Sequence, residues 1–313
     1  TRVRVAKVLG STTPQDGTVA GDRVLIDARS LQTSAFAGRG IGRFAQSCLD
    51  AVRATTADSR ITLLVDHSLP RLPANLAGDC QQLTWITSKD ASTFAQLIQP
   101  SPMTHDPDPL MHVLAGPAES LAVVFDFIPL HYPSVYLRFT AERAEYLRNL
   151  DALRLYKEYA CISHTVRDEL LTLLPSVHAD RTGVAWPEAV SDQLRVDPSS
   201  LAELEQELDV APVVLMTGDD ARKNTFGGLA GVAAATSHLA SRNAVVLGMN
   251  TGDDRVHHWS IAAAMRPGEA VDSVRLSDQE MADLLGSASC VLVPSFDEGL
   301  SLPVIEALGT GTP

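Results

Sequence analysis

No basic cluster in this sequence is longer than "ARKN" (221–224). Lys and Arg total 25 against 38 Asp and Glu, a formal net charge of −13. Nucleic-acid and anionic-membrane surfaces draw their affinity from clustered cations, so no nucleic-acid partner is expected. A local basic pocket inside an acidic protein is still compatible with this balance. Long apolar runs are missing too. None approaches the roughly 18 residues of a membrane span, and the start has no signal-peptide pattern. The four cysteines (Cys48, Cys80, Cys161 and Cys290) share no CxxC or ligand-like spacing. That argues against a disulfide framework and a cysteine metal site. Cys161 and Cys290 lie in apolar, strand-like runs and are expected to be buried, reduced thiols. The expected location is the cytoplasm, with a peripheral contact at the inner membrane face left open. Internal repeats and low-complexity tracts are absent. The chain begins with Thr1 rather than Met, as a fragment or a processed protein would.

What is present points to layered α/β architecture. At 313 residues the chain is long for one hydrophobic core, so two domains are expected. Short, continuous Val/Ile/Leu runs recur: "RVLIDA" (23–28), "ITLLVD" (61–66), "LMHVLA" (110–115), "LAVVFD" (121–126) and "YACIS" (159–163). A second set follows as "VVLMTG" (213–218), "NAVVLG" (243–248) and "CVLVP" (290–294). Unbroken apolar runs alternating with helical patterns signal parallel strands covered on both faces. Each of the eight is read as a strand. Between the sets lies a polar, proline-containing stretch with one short helix around 201–208. The expected organisation is an arm over 1–20, a first domain over 21–188, a linker over 189–210 and a second domain over 211–313. In "LSDQEMADLLGSASC", Ser277 and Glu280 have the spacing of a capping box, and Met281, Leu284, Leu285 and Ala288 form one apolar stripe.

Four constellations carry chemistry. Glu298 and Glu306 are separated by a loop-like "GLS" and by Pro303, which suits a first helical turn. Glu298 is then on a loop and Glu306 early in a helix whose Val304, Ile305 and Leu308 turn inward. An ionised carboxylate accepts two hydrogen bonds and so matches a vicinal diol, while a helix start favours an anion. The plainer alternative is that Glu306 merely complements the helix dipole and Glu298 is a solvated charge. In "LMTGDDARKNTFGGLAG" a strand ends at Gly218 and a helix starts near Asn224 or Thr225, with Arg222 and Lys223 just before it. Two cations at a helix start suit a diphosphate. The alternative is a surface pair offset by Asp219 and Asp220.

The third, "AGRGIGRF", places Gly38, Gly40 and Gly42 in a loop after a strand, where glycine permits close backbone approach and φ > 0 turns. A plain tight turn is an equal alternative. In the fourth, "VVFDFIPLHYPSVY", Asp126 ends a strand and suits a substrate contact or general base; capping the next turn competes with that reading. His131 in the same loop reads as a surface residue. Two further features are discounted. "HDPDP" (105–109) is a weak metal candidate, and the adjacent His257 and His258 do not share a helix face.

Together these segments resemble the retaining glycosyltransferases of the GT-B superfamily, family 4 type. "LSDQEMADLLGSASCVLVPSFDEGLSLPVIEALGTGTP" is similar to that family's helix, strand and E-x7-E signature. "GDDARKN" is similar to its basic diphosphate loop, "GIGRF" to its amino-terminal glycine loop and "FDFIPLHYP" to the D-x-I-P-L segment of mannosyl- and rhamnosyl-transferring members. The resemblance implies two Rossmann-like domains facing a cleft and a sugar moved from a nucleotide donor with retention. The acceptor would be a glycan, a lipid-linked sugar or a small molecule. No cofactor or metal is implied, the nucleotide sugar being a substrate.

It also implies roles. Glu306 would hold the donor's ribose, Glu298 would sit by the transferred sugar, and Arg222 and Lys223 would neutralise the leaving diphosphate. Gly40 and Gly42 would line the cleft, with Gly218, Gly299, Leu300, Ser301 and Leu302 completing the donor site. Asp126 and Glu298 are the nominees for a residue at the anomeric carbon. Three departures stand out: Phe125 replaces a common His, Leu300 and Ser301 replace an aromatic–glycine pair, and relatives continue past Pro313. The second domain is therefore expected to be incomplete. The competing function is a catalytically silent, glycosyltransferase-like domain that binds a nucleotide or a partner.

Overall fold

The structure, a computed structural model, describes residues 21–33, 37, 40–185, 213–216, 218, 220–236, 244–247, 270–271 and 278–313. The arm (1–20), the linker (189–210) with its short helix, Gly38, Asp219, His257, His258 and Ser277 of the capping box lie outside the described residues. The chain divides into two compact units, Thr1–Pro187 and Glu188–Pro313.

The first unit is built on a seven-stranded parallel sheet. Its strands are β1 (Arg23–Asp27), β2 (Ile61–Leu64), β3 (Gln81–Leu83), β4 (Phe94–Gln99), β5 (Glu119–Val124), β6 (Glu158–Cys161) and β7 (Thr182–Val184). Their order is β3-β2-β1-β4-β5-β6-β7. Leu25, Ile26, Leu63, Leu64, Leu97 and Val124 have essentially no exposed surface, as parallel strands covered on both faces require. Helix α1 (Gly40–Arg53) buries Phe44, Ala45, Cys48, Leu49 and Val52, a run of positions that recurs on one helical face, and helices α2 (Thr140–Ala152) and α3 (His164–Leu173) follow later in this unit. Burial pushes the Cys48 and Cys161 thiols up to about 12, so both behave as inert apolar groups. Cys290 is half-buried.

Four of the five strands read from the first set of runs are present. The exception is "LMHVLA": Asp108–Leu110 form a 3-10 turn and Met111–Leu114 a helical turn. Buried Val113 and Leu114 explain the apolarity, because a short buried helix and a short buried strand look alike in composition. The strand beside β1 is instead β4, "FAQLIQ", whose apolar run is interrupted by two buried glutamines, Gln96 and Gln99.

In the second unit β8 (Val213–Met216), β9 (Ala244–Leu247), β10 (Ala270–Val271) and β11 (Cys290–Leu292) form a parallel sheet in the order β10-β9-β8-β11. Helix α4 (Thr225–Thr236) follows β8, α5 (Asp278–Ser287) precedes β11, and α6 (Leu302–Thr310) follows it. The expected stripe of α5 is inward: Leu284 and Leu285 pack with Val214, and Met281, Ala288 and Val291 flank them. The expected inward face of α6 needs correction. Val304 and Leu308 are 41% and 67% exposed, and it is Ala307 that is buried. Leu302, at the start of α6, packs near Ala282 of α5. The contact of α6 with its neighbours therefore uses the helix's small residue and its first turn.

Gly228 sets the approach of α4 to the sheet. A Cβ there would lie 2.8 Å from both Leu215 Cδ1 and Pro294 Cγ, at the ends of β8 and β11. Gly228→Val is expected to lower the stability of this unit by about 2 kcal/mol through overpacking. Thermal unfolding checks this; an unchanged midpoint would show that Leu215 and Pro294 can give way.

Candidate functional site

In the second sheet the strand order turns back between β8 and β11, the place where open α/β sheets leave a crevice at their carboxyl ends. The segments leaving those two strands carry the residues in question. After β8, Asp220 caps a 3-10 turn (Ala221–Lys223) by accepting from the Arg222 amide at 3.1 Å. Asn224 then adopts a left-handed conformation, φ 49°, which stops the turn and lets α4 begin at Thr225. Asn is among the few non-glycine residues suited to that conformation. After β11, Pro294 opens the loop to α6.

The two segments are bonded to each other. The Phe296 amide donates to the Arg222 carbonyl at 2.8 Å, and Asn224 Nδ2 donates to the Pro294 carbonyl at 3.1 Å. Thr225 Oγ1 donates to the Gly218 carbonyl at 2.7 Å, tying the start of α4 to the segment after β8.

This framework brings Arg222, Lys223 and Glu298 together. Arg222 Nη1 donates to Glu298 Oε2 at 2.9 Å and to the Asp297 carbonyl at 3.0 Å, while Lys223 Nζ donates to Glu298 Oε1 at 2.5 Å. Asp220 Oδ2 lies 3.5 Å from Arg222 Nε. The three side chains are about a fifth exposed, so the pairing sits in a half-buried niche rather than in open solvent. Burial pushes the Glu298 carboxyl up, but the hydrogen bond from Lys223 and the charges of Lys223 and Arg222 outweigh it and hold the group below the usual carboxylate range. Two cations and two carboxylates thus balance locally. Asp220 is close to Arg222, as the sequence suggested. The partner shared by both cations is Glu298, 76 and 75 positions away, which no local pattern announces.

Glu306 is the fifth residue of α6, half-buried, and the helix has no acid in its first turn. A dipole effect is felt mainly within the first turn, so the plainer reading of Glu306 as a dipole complement is not supported. Gly299 and Leu300 are half-buried in the loop, and Ser301 is the N-cap of α6. The Ser301 hydroxyl caps nothing: it is buried and makes no hydrogen bond among the described residues.

The remaining residues belong to the first unit. Gly40 and Gly42 are not in a loop; they form the first turn of α1, and the positive-φ glycines among the described residues are Gly78 and Gly311. The expectation of a glycine loop with φ > 0 at these two positions is therefore corrected. Phe44 of α1 meets Phe125 edge-on, ring centroids 5.6 Å apart, which sets the start of α1 beside the end of β5. Asp126 follows there, half-buried, and accepts from the Ile128 amide at 3.1 Å, so it does cap the next turn. His131 in that turn pairs with Glu169 of helix α3 (His164–Leu173).

Sequence reasoning missed a buried network at the other carboxyl end, where the first sheet also reverses, between β1 and β4. Asp27 accepts from Arg29 Nη2 and from Gln99 Nε2, both at 2.6 Å, and all three side chains are buried. The signal was an Asp closing an apolar strand with an Arg two residues on. Asp106 and Asp108 of "HDPDP" lie 3.7 and 3.6 Å from Arg148, and no group of three or more His, Cys, Asp or Glu among the described residues is placed to hold a metal ion. No helix among the described residues is long and apolar enough to cross a membrane.

No family model matches the chain. One sequence relative, the MMP alpha-(1->4)-mannosyltransferase of Mycolicibacterium hassiacum, is 55% identical over 38 residues, a match spanning 12% of this chain and 9% of that protein. The solved structures match far more of the fold. HepE of Anabaena in complex with UDP superposes with a TM-score of 0.66 at 12% identity, covering 93% of this chain and 79% of that one. Sucrose-phosphate synthase of Thermosynechococcus elongatus gives 0.59 at 14% identity, covering 93% and 80%. The trehalose-6-phosphate synthase OtsA gives 0.57 at 11%, covering 92% and 82%. At these identities the likeness is one of architecture: two parallel α/β units in tandem, which is the GT-B fold.

Proposed function

We propose that this chain is a glycosyltransferase that takes a hexose or deoxyhexose from a nucleoside-diphosphate sugar and passes it, with retention, to a glycan, lipid-linked or small-molecule acceptor. The observation that carries this reading is the cation pair at the β8/β11 reversal, held by one backbone bond and one Asn224 side-chain bond between two loops. Departure of a nucleoside diphosphate builds negative charge, and cations held beside it stabilise that charge. Arg222 and Lys223 are assigned that role. The buried Ser301 hydroxyl and the amides at the start of α6 supply further donors for a phosphate oxygen.

Retention is assigned to front-face departure and attack. The bond from the anomeric carbon to the diphosphate oxygen breaks, the acceptor oxygen bonds to the same face, and its proton passes to the departing diphosphate. A covalent route would need a carboxylate at the anomeric carbon. Glu298 is engaged with two cations and Asp126 with a turn amide, which makes both poor nucleophiles. Gly40 and Gly42 keep the donor-binding role proposed for them, and no metal is required by the scheme. Support for the donor class comes from fold relatives, since HepE was crystallised with UDP and with UDP-glucose. The place of work assigned to this chain is the cytoplasm or the cytoplasmic face of the membrane.

Calorimetry with nucleoside diphosphates, followed by assay of acceptor-independent hydrolysis of nucleotide sugars, tests the proposal. Absence of nucleotide binding by the folded protein would reject it; binding without any turnover would favour the silent-domain reading. The ribose role of Glu306 makes a narrower prediction. Glu306→Ala should weaken a nucleoside diphosphate about 10- to 100-fold, the worth of a charge-assisted pair of hydrogen bonds, and leave inorganic pyrophosphate unaffected. Equal losses for both ligands would contradict the assignment.

A further inference from the structure

The cation pair is already occupied. Each oxygen of Glu298 takes one cation, at 2.9 and 2.5 Å, and with Asp220 near Arg222 the niche carries two positive and two negative charges. A diphosphate approaching it therefore meets a neutral site, not a basic one. To take the N–H groups that now face Glu298 it must displace the carboxylate, leaving that half-buried anion beside a second anion and without those donors. We propose that Glu298 is a latch on the donor site: it competes with a bare nucleoside diphosphate for the cations and gives them up when the hydroxyls of a donor's sugar replace them as its hydrogen-bond donors. This inference rests on the assignment of Arg222 and Lys223 to the diphosphate made above.

The chemistry of the groups supports an exchange of partners. A carboxylate accepts only, and its two oxygens are as well served by two sugar hydroxyls as by two cationic N–H groups. A nucleotide sugar brings both components, a diphosphate for the cations and hydroxyls for the carboxylate. A nucleoside diphosphate brings only the first. After transfer the sugar has left with the acceptor, and Glu298 regains a reason to return to Arg222 and Lys223. The same residue thus favours the loaded donor over the spent one and hastens product departure, a step that limits turnover in many transferases. The half-burial of all three side chains matters here, because in open solvent the exchange would be screened to insignificance.

The test uses inorganic pyrophosphate, which has no sugar and no base, with calorimetry on the full chain. Glu298→Gln removes the charge while keeping the size, and it is expected to bind pyrophosphate at least about tenfold more tightly than the unaltered protein. Glu298→Asp keeps the charge but shortens its reach, so it is expected to gain part of that affinity. Melting curves for both establish that the variants are folded. Equal pyrophosphate affinity in the unaltered and Gln forms overturns the latch. So does a gain in the Gln form with none in the Asp form, since that pattern means a diffuse field rather than a contact. If pyrophosphate binds neither form, and Arg222→Ala changes nothing, the diphosphate assignment itself fails and the latch falls with it.

Discussion

Replacing both Arg222 and Lys223 by Ala will weaken nucleoside diphosphate binding by at least about 100-fold while leaving the bare nucleoside nearly unaffected. Two charge-assisted contacts of about 1.5–3 kcal/mol each are at stake, and about 1.4 kcal/mol is worth tenfold. The loss is compounded by what stays behind. Glu298 would face the incoming phosphates with no cation to meet it, so the doubly substituted niche is repulsive rather than merely empty. Calorimetry with the nucleoside and its diphosphate side by side separates this from a folding defect, which would affect both. A fall of less than a few-fold for the diphosphate would place its binding elsewhere. Because the site is half-buried, the effect should survive physiological salt; surface cations would lose most of theirs.

Asp27→Ala will destabilise the first unit by about 3–5 kcal/mol, the usual consequence of stranding one member of a buried ion pair. For a unit of this size that corresponds to a fall of roughly 10 °C in melting temperature. Asp27 accepts from the backbone amide and guanidinium of Arg29 and from Gln99, and it is 1% exposed. Its removal leaves Arg29, 4% exposed, with the donation of its Nη1 to the Asp106 carbonyl as its one remaining side-chain hydrogen bond among the described residues. Replacing Asp27 and Arg29 together by apolar residues of similar volume should cost far less, because no charge is stranded.

The pH dependence follows from the same pair. Burial pushes the Asp27 carboxyl up, yet Arg29's charge and hydrogen bonds outweigh it and hold the folded-state value below the ordinary one. A group depressed on folding contributes stability above its unfolded value of about 3.9 and loses it as the pH falls through the folded value. The protein should therefore keep this contribution at neutral pH and shed it below about pH 4. The acid limb of a stability–pH curve should flatten in Asp27→Asn, and an unchanged limb would assign acid sensitivity to other carboxylates.

Much of the fold was legible because parallel strands leave an unambiguous trace. "RVLID", "LAVV" and "VVLM" are apolar without alternation, and the strands formed there. β4 escaped because Gln96 and Gln99 break the run, and Gln99 is polar for a reason visible only in three dimensions: it serves Asp27 across the sheet. "LMHVLA" misled because burial, which composition reports, does not distinguish a helical turn from a strand. In the site, the helix start after Lys223 and the loop position of Glu298 followed from local signals such as Asn224 and Pro294. The pairing of those two segments did not, since it depends on β8 and β11 being neighbours. Gly40 and Gly42 show the converse limit. A glycine-rich string permits a left-handed turn without requiring one, and here the residues simply start a helix.

The position of β8 inside its sheet has a bearing on biosynthesis. Among the described strands of its unit it is the first to be made, yet one of its edges is paired with β11, the last. The cations of the niche and the carboxylate that joins them are 76 and 75 residues apart. At roughly 5–20 residues per second, translation delivers Glu298 about 4–15 s after Arg222. For that interval β8 has an open, apolar edge and the cation pair has no shared counter-ion. Nascent chains at this stage are the ones most exposed to mispairing and most in need of a chaperone's cover, so expression yield should respond to translation speed across this span more sharply than the stability of the finished protein does.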